Sequence, residues 1–248
     1  MDQLVFYSGP TDPSDVPAAL PEVAVVTVYD RHRLVEALVG DPHLIGAVVE
    51  IEAMNDEWDH FISSTRRSFP LLPLLVLTPV NACFRSVACV DTNADAEVVA
   101  GRVAEFFAVP RQRERRNHHR FDWPLRASLA GRDEVHRVRE LSAGGAFLEP
   151  ATSIPPPGST CEISICFQNF TMTTACEILD PRHASSRSVP GFGVRFTSLS
   201  PKASAFIDRI VTDALASMLL DPSARPEVPS IDEDEDVLAV GDEFSLAL

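Results

Sequence analysis

The hydrophobic period changes once along this 248-residue chain, and the change divides it. Through residue 108, short apolar runs alternate with helix-length segments, the pattern that crossover helices on a parallel sheet impose. From Phe121 onward apolar residues recur at every second position, and helix-length spacers vanish until the end. Period two belongs to strands with one buried face. The length accommodates two modest domains, one α/β and one all-β.

In the first half the candidate strands are Gln3–Tyr7, Val23–Val28, Ile45–Ile51, Leu74–Leu77 and Ser86–Val90. Between them Arg31–Val39 and Glu57–Ser68 read as helices, and Ala94–Phe107 closes the unit with Val98, Val99, Val103 and Phe106 at helical spacing. The stretch Pro10–Pro21 is too proline-rich for an ordinary first helix. This five-strand order resembles a response-regulator receiver domain, a flavodoxin-like α/β fold. A receiver needs an acidic pair after its first strand, an aspartate ending the third, Ser or Thr ending the fourth and a lysine after the fifth. Here Ser8 and Gly9 follow the first strand, Glu50 takes the acceptor position, Thr78 matches, and Thr92 stands where lysine is expected. The only lysine in the chain is Lys202. Without metal-binding acids a phosphoryl group would lack charge neutralisation, so residues 1–108 are expected to form a pseudo-receiver. Glu50 reads either as a mimic of the charged state or as an ordinary strand-end acid.

In the second half Phe121–Leu129, Glu134–Ser142, Gly145–Glu149, Cys161–Phe167, Phe170–Ile178 and Gly191–Phe196 make six antiparallel strands, enough to close a small barrel. Ser200 and Pro201 then cap and open a helix. Its apolar stripe, Phe206, Ile207, Ile210, Val211, Ala214, Leu215 and Met218, packs on the barrel or forms a homodimer contact. The expected domains are therefore 1–108, a basic linker 109–120, a barrel with its helix 121–220, and a tail 221–248. Proline-spaced and acidic around Asp232–Asp236, the tail cannot offset its ordering entropy and is expected to be disordered, with Phe244 and Leu246–Leu248 as a docking peptide.

Charge narrows the function. The net charge of −15 is uneven: residues 1–108 hold 16 acids and 6 bases, 109–220 hold 11 and 14, and 221–248 hold 9 and 1. Only the centre is basic, which argues against duplex nucleic acid and for a small anionic ligand. No run is long enough to span a bilayer and no signal segment opens the chain, so a soluble cytoplasmic protein without membrane insertion is expected. Cys83, Cys89, Cys161, Cys166 and Cys176 are odd in number and lack C-x-x-C spacing, so core thiols are expected rather than a metal site or disulfide frame. The chain carries no G-x-S-x-G elbow, no H-E-x-x-H and no phosphate loop; no enzyme and no cofactor are expected.

Two segments carry the recognition chemistry: Arg115-Arg116-Asn117-His118-His119-Arg120-Phe121, and Val138-Arg139-Glu140-Leu141-Ser142-Ala143-Gly144-Gly145-Ala146-Phe147. Arginine pairs bidentately with phosphate oxygens or with guanine O6 and N7, and stacks on purines. A carboxylate accepts from guanine N1–H and N2–H₂, a serine hydroxyl adds a short contact, and glycine lets backbone approach a ligand. A bare arginine run between Arg111 and Arg120 is also compatible with a solvated linker. The paired motifs resemble the PilZ domain, whose R-x-x-x-R and [D/N]-x-S-x-x-G bind cyclic di-GMP. Arg116 and Arg120 supply the first motif, with Arg115 beside them; Glu140, Ser142 and Gly145 supply the second. Glu140 replaces the family's Asp or Asn. The ending Gly191-Phe192-Gly193-Val194-Arg195-Phe196 is also similar to that family's. The resemblance implies a cyclic di-GMP effector that relays the signal to a protein partner, with motility, surface attachment or polysaccharide secretion as outputs. The alternative it leaves is an adaptor that no longer binds the nucleotide.

Overall fold

The protein is described here by a computed structural model covering residues 3–9, 14–20, 24–40, 44–53, 55–79, 87–108, 118–150, 152–182, 189–230 and 244–246. It divides into two compact units, Met1–Arg116 with Leu215–Ala224, and Asn117–Ala214 with Arg225–Leu248.

The first unit is a five-stranded parallel sheet. Its strands are β1 (Gln3–Tyr7), β2 (Ala24–Val28), β3 (Leu44–Glu50), β4 (Leu74–Thr78) and β5 (Ala88–Asp91), in the order β2-β1-β3-β4-β5. The helices are α1 (Arg31–Gly40), α2 (Asp56–Ser68) and α3 (Ala96–Ala108). The central strands are mostly apolar and buried rather than alternating, as in the fully buried Leu-Leu-Val-Leu-Thr of β4, the pattern of a parallel sheet covered on both faces. One core joins Leu4, Phe6, Val48, Leu75 and Leu77 of the sheet to Val99, Ala100 and Val103 of α3. The proline-rich stretch yields a single turn of 3-10 helix, Pro17–Ala19, with Val16 and Leu20 in that core. Helix α2 starts where Asn55 Oδ1 accepts from Trp58 N at 2.9 Å. Acids crowd its first turn and Arg66 and Arg67 its last, each placed to suit the helix dipole.

The second unit closes a barrel. Strands β6 (Arg126–Leu129), β7 (Val135–Ser142), β8 (Gly145–Glu149), β9 (Thr160–Cys166), β10 (Phe170–Arg182) and β11 (Gly191–Phe196) pair antiparallel in the ring β6-β7-β8-β11-β10-β9, which returns to β6. Alternation sends Leu125, Ala127, Leu129, Ile163, Ile165, Met172 and Ile178 inward, all at most 2% exposed. Strand β6 is shorter than its pattern predicts. Pro124 has no N–H to give a ladder, so Phe121 is held by an isolated bridge to Leu141 and the strand proper begins at Arg126. Helix α4 (Pro201–Leu220) is capped by Ser200 Oγ, which accepts from Ala203 N at 3.2 Å. It buries Ala203, Phe206, Ile207 and Val211.

The C-terminal segment is shared between the two units. Leu215–Ala224 groups with the first unit rather than with the barrel. There Arg31 Nη2 donates to Leu220 O at 2.7 Å and His60 Nε2 contacts Met218 O at 2.8 Å, so side chains satisfy carbonyls that the helix end leaves without partners. The tail is not uniformly without structure. Gln168 N lies 3.5 Å from Pro229 O, and Phe244–Leu246 forms β12 against Phe170–Met172 of β10. Strand β10 is thirteen residues long and β11 pairs with only Cys176–Arg182, leaving an edge that an apolar tail end can extend. Residues 231–243, with the acidic cluster Asp232–Asp236, lie outside the described residues.

Candidate functional site

The candidate site is built where the chain enters the barrel. Phe121 N donates to Leu141 O at 3.0 Å, and Leu141 N donates to Phe121 O at 2.9 Å. This bridge lays the end of the basic segment beside the end of β7. Arg120 and Glu140, the residues preceding the bridged pair, meet through Nη1 and Oε2 at 2.7 Å. Their side chains are 33% and 40% exposed, so the pair is open to solvent and to ligand.

A β-bulge re-aims the carboxylate. Between β7 and β8 the register runs Val138↔Leu148 and then Glu140↔Phe147, so Arg139 is the extra residue. The inward set is His136 and Val138, then Leu141 and Ser142. Glu140 is turned towards Arg120, while Arg139 Nε reaches Glu149 Oε2 at 2.9 Å. Arg139 and Glu149 thus form a second half-buried ion pair next to the first, a feature the motif spacing did not announce.

The turn that follows is fixed by close approach. Gly145 has φ of +155°, and a Cβ there would lie 2.1 Å from Val194 O of β11. Only glycine fits. Ser142 Oγ donates to Gly145 O at 3.1 Å and is nearly fully buried, so its hydroxyl closes the turn. Phe196 N donates to Gly144 O at 3.1 Å, tying the same turn to β11. His118 lies against Gly144, and its Nδ1 sits 3.0 and 3.1 Å from the two carboxylate oxygens of Asp208 on α4. Nothing local in the sequence links His118 to a residue ninety positions away.

The structure therefore brings together Arg120, Glu140, Ser142 and Gly145. Arg115 and Arg116 lie outside the described residues. A groove of about 540 Å³ elsewhere on this unit, lined by Pro124, Leu125, Arg126, Cys166, Phe167 and Gln168, contains none of these site residues. Among the described residues no group of three His, Cys, Asp or Glu is placed to hold a metal ion, and no helix is long and apolar enough to cross a membrane.

Residues 114–213 match the PilZ domain family. The matched segment takes in the second half of the basic linker, the six-stranded barrel and the first turns of α4. No curated protein matches the chain. Among solved structures, the chain is similar to the inhibitor of motility MotI/DgrA of Bacillus subtilis, at 12% identity and a TM-score of 0.37, over 40% of this chain and 50% of that one. It is also similar to YcgR of Escherichia coli, solved in complex with c-di-GMP, at 17% identity and a TM-score of 0.33, over 40% of this chain and 45% of that one. The chain spans about half the length of each.

Proposed function

We propose that this protein is a cyclic di-GMP-binding effector whose PilZ segment reads the nucleotide and passes the signal to a protein partner in the cytoplasm. The observation that carries the reading is the meeting of Arg120 and Glu140, twenty residues apart, beside the Ser142–Gly145 turn. In this reading Arg116 and Arg120 take phosphate oxygens or guanine edges, with Arg115 beside them, Glu140 accepts from guanine N–H groups, and Gly145 keeps the turn close to β11. The ion pair does not obstruct binding. A half-exposed Arg–Glu pair contributes about 0.2–1 kcal/mol, whereas a charge-assisted bond to a ligand is worth about 1.5–3 kcal/mol. Exchanging Glu140 for the ligand at Arg120 is favourable. Calorimetric titration with cyclic di-GMP, with GTP as control, tests the reading: saturable binding at micromolar concentration or tighter supports it, and absence of heat and of competition overturns it.

The same ion pair favours one second reading. Arg120 and Glu140 satisfy each other without a ligand, as expected of an adaptor that has given up the nucleotide. The titration separates the two.

For the first unit we read a pseudo-receiver. Its strand order β2-β1-β3-β4-β5 is that of flavodoxin-like domains. Ser8, where a receiver carries an acid, is fully buried and donates to Glu50 Oε2 at 3.3 Å. Incubation with acetyl phosphate should leave the intact mass unchanged. An adduct mapped to this unit would restore receiver chemistry.

A further inference from the structure

Cys161 and Cys176 face each other in register across β9 and β10. Their sulfurs are 3.8 Å apart, in van der Waals contact. Directly opposed residues of an antiparallel pair hold their Cα atoms about 4.5–5.5 Å apart, inside the span of about 4.4–6.8 Å that a disulfide bridges. Rotation of the two side chains is enough to close the gap. The other described cysteines are placed differently: Cys89 and Cys166 are exposed, one against the Val87 carbonyl and the other accepting from Thr171 Oγ1.

The pair is asymmetric. Cys176 is fully buried, while Cys161 is half-buried and reachable from solvent. Burial, reinforced by the neighbouring Cys161, pushes the Cys176 thiol up to about 12, so Cys176 remains a thiol at neutral pH. Oxidant reaches Cys161 first. We infer that Cys161 and Cys176 form an oxidisable dithiol within the barrel, a modification site for oxidants of the peroxide class that closes to an internal disulfide.

The step balances. Cys161 Sγ attacks one oxygen of hydrogen peroxide; the O–O bond breaks, the sulfur is oxidised to sulfenic acid, and the departing hydroxide takes the Cys161 thiol proton to become water. Cys176 Sγ then attacks the Cys161 sulfur. The S–O bond breaks and hydroxide leaves with the Cys176 proton as a second water. Two thiols and one peroxide give one disulfide and two waters. The new bond would tie β9 to β10 one strand from the signature turn, because Cys176 also pairs with Phe196, whose N–H holds the Gly144 carbonyl.

The test uses the folded full chain, treated with hydrogen peroxide, alkylated, and cleaved after Glu162, Phe167 and Phe170, so that Cys161, Cys166 and Cys176 fall on separate peptides. The expected product links the Cys161 and Cys176 peptides at a mass about 2 Da below their sum, and forms equally in Cys166→Ser. In Cys176→Ser the oxidised Cys161 should persist as a sulfenic acid that dimedone captures. The inference is overturned if both thiols stay alkylatable while Cys89 and Cys166 oxidise, or if the link forms only after denaturation.

Discussion

Replacing Arg120 by Ala tests the proposed site most directly, because the structure supplies both sides of the exchange. In the free protein Arg120 is paired with Glu140 at 2.7 Å, with both side chains more than a third or close to a third exposed. Ligand binding in the wild type therefore gains a charge-assisted bond worth about 1.5–3 kcal/mol and gives up a pair worth about 0.2–1 kcal/mol. The variant forgoes both. The difference is about 0.5–2.8 kcal/mol, or roughly two- to hundredfold in Kd at about 1.4 kcal/mol per decade. Losing the half-exposed pair should move the melting midpoint by no more than about 4 °C, so weakened binding cannot be blamed on unfolding. Calorimetry of wild type, Arg120→Ala, Glu140→Ala and the double variant apportions the terms: in the cycle, the coupling between Arg120 and Glu140 should be small beside the loss at Arg120. If the wild type binds and Arg120→Ala binds equally well, the nucleotide sits elsewhere.

Gly145→Ala forces a methyl group against Val194 O, a backbone atom that can yield only by parting β8 from β11; it should cost about 3 kcal/mol or more in denaturant unfolding, and a cost below about 1 kcal/mol would show that the strand gives way. Burial holds the His136 imidazole below its ordinary value of 6.5. The unfolded chain then binds more protons than the native one below that pH, so the stability of the second unit should fall as pH drops through 6.5. The slope should shrink in His136→Gln, and an unchanged slope would assign the proton uptake to another group. Truncation after Ala224 removes the Glu227 carbonyl that accepts from the buried Trp123 indole at 3.1 Å, which should cost about 1–3 kcal/mol. Truncation after Ser230 keeps that acceptor and should melt higher; identical melting of the two forms would mean the indole finds another partner.

The parts of the fold that were legible are those in which local pattern and burial agree. In β4 a continuous apolar run is a strand buried on both faces, and in β9 strict alternation is a strand with one face inside. Ser200 before α4 is a cap readable from residue type alone. At the site, Arg120, Glu140 and Gly145 were legible through spacing, but their mutual geometry was not. The bulge at Arg139 breaks period two by one residue, and the inward run of Val138, Leu141 and Ser142 was its only trace. Ser142 was expected to face a ligand, yet the same hydroxyl suits an inward bond to Gly145 O, and residue type cannot distinguish these uses.

What escaped reading is mostly the partnering of main-chain groups by distant residues. Leu220 O and Met218 O are orphan acceptors of a helix end, and the donors they meet, Arg31 and His60, lie more than 150 positions earlier. The tail shows the same logic reversed. Its composition lacks the apolar content to build a core, which is why disorder is the expectation from sequence. Yet a segment need not build a core if an existing one has unmet polar groups. The Trp123 indole, 1% exposed, requires an acceptor, and the Glu227 carbonyl is one that any residue type could have supplied. Because the bond uses backbone rather than side chain, no pattern of residue types marks it. Ordering around residues 225–230 therefore follows from a demand in the barrel, and the hydrogen-bond inventory of the buried aromatics is where that demand becomes visible.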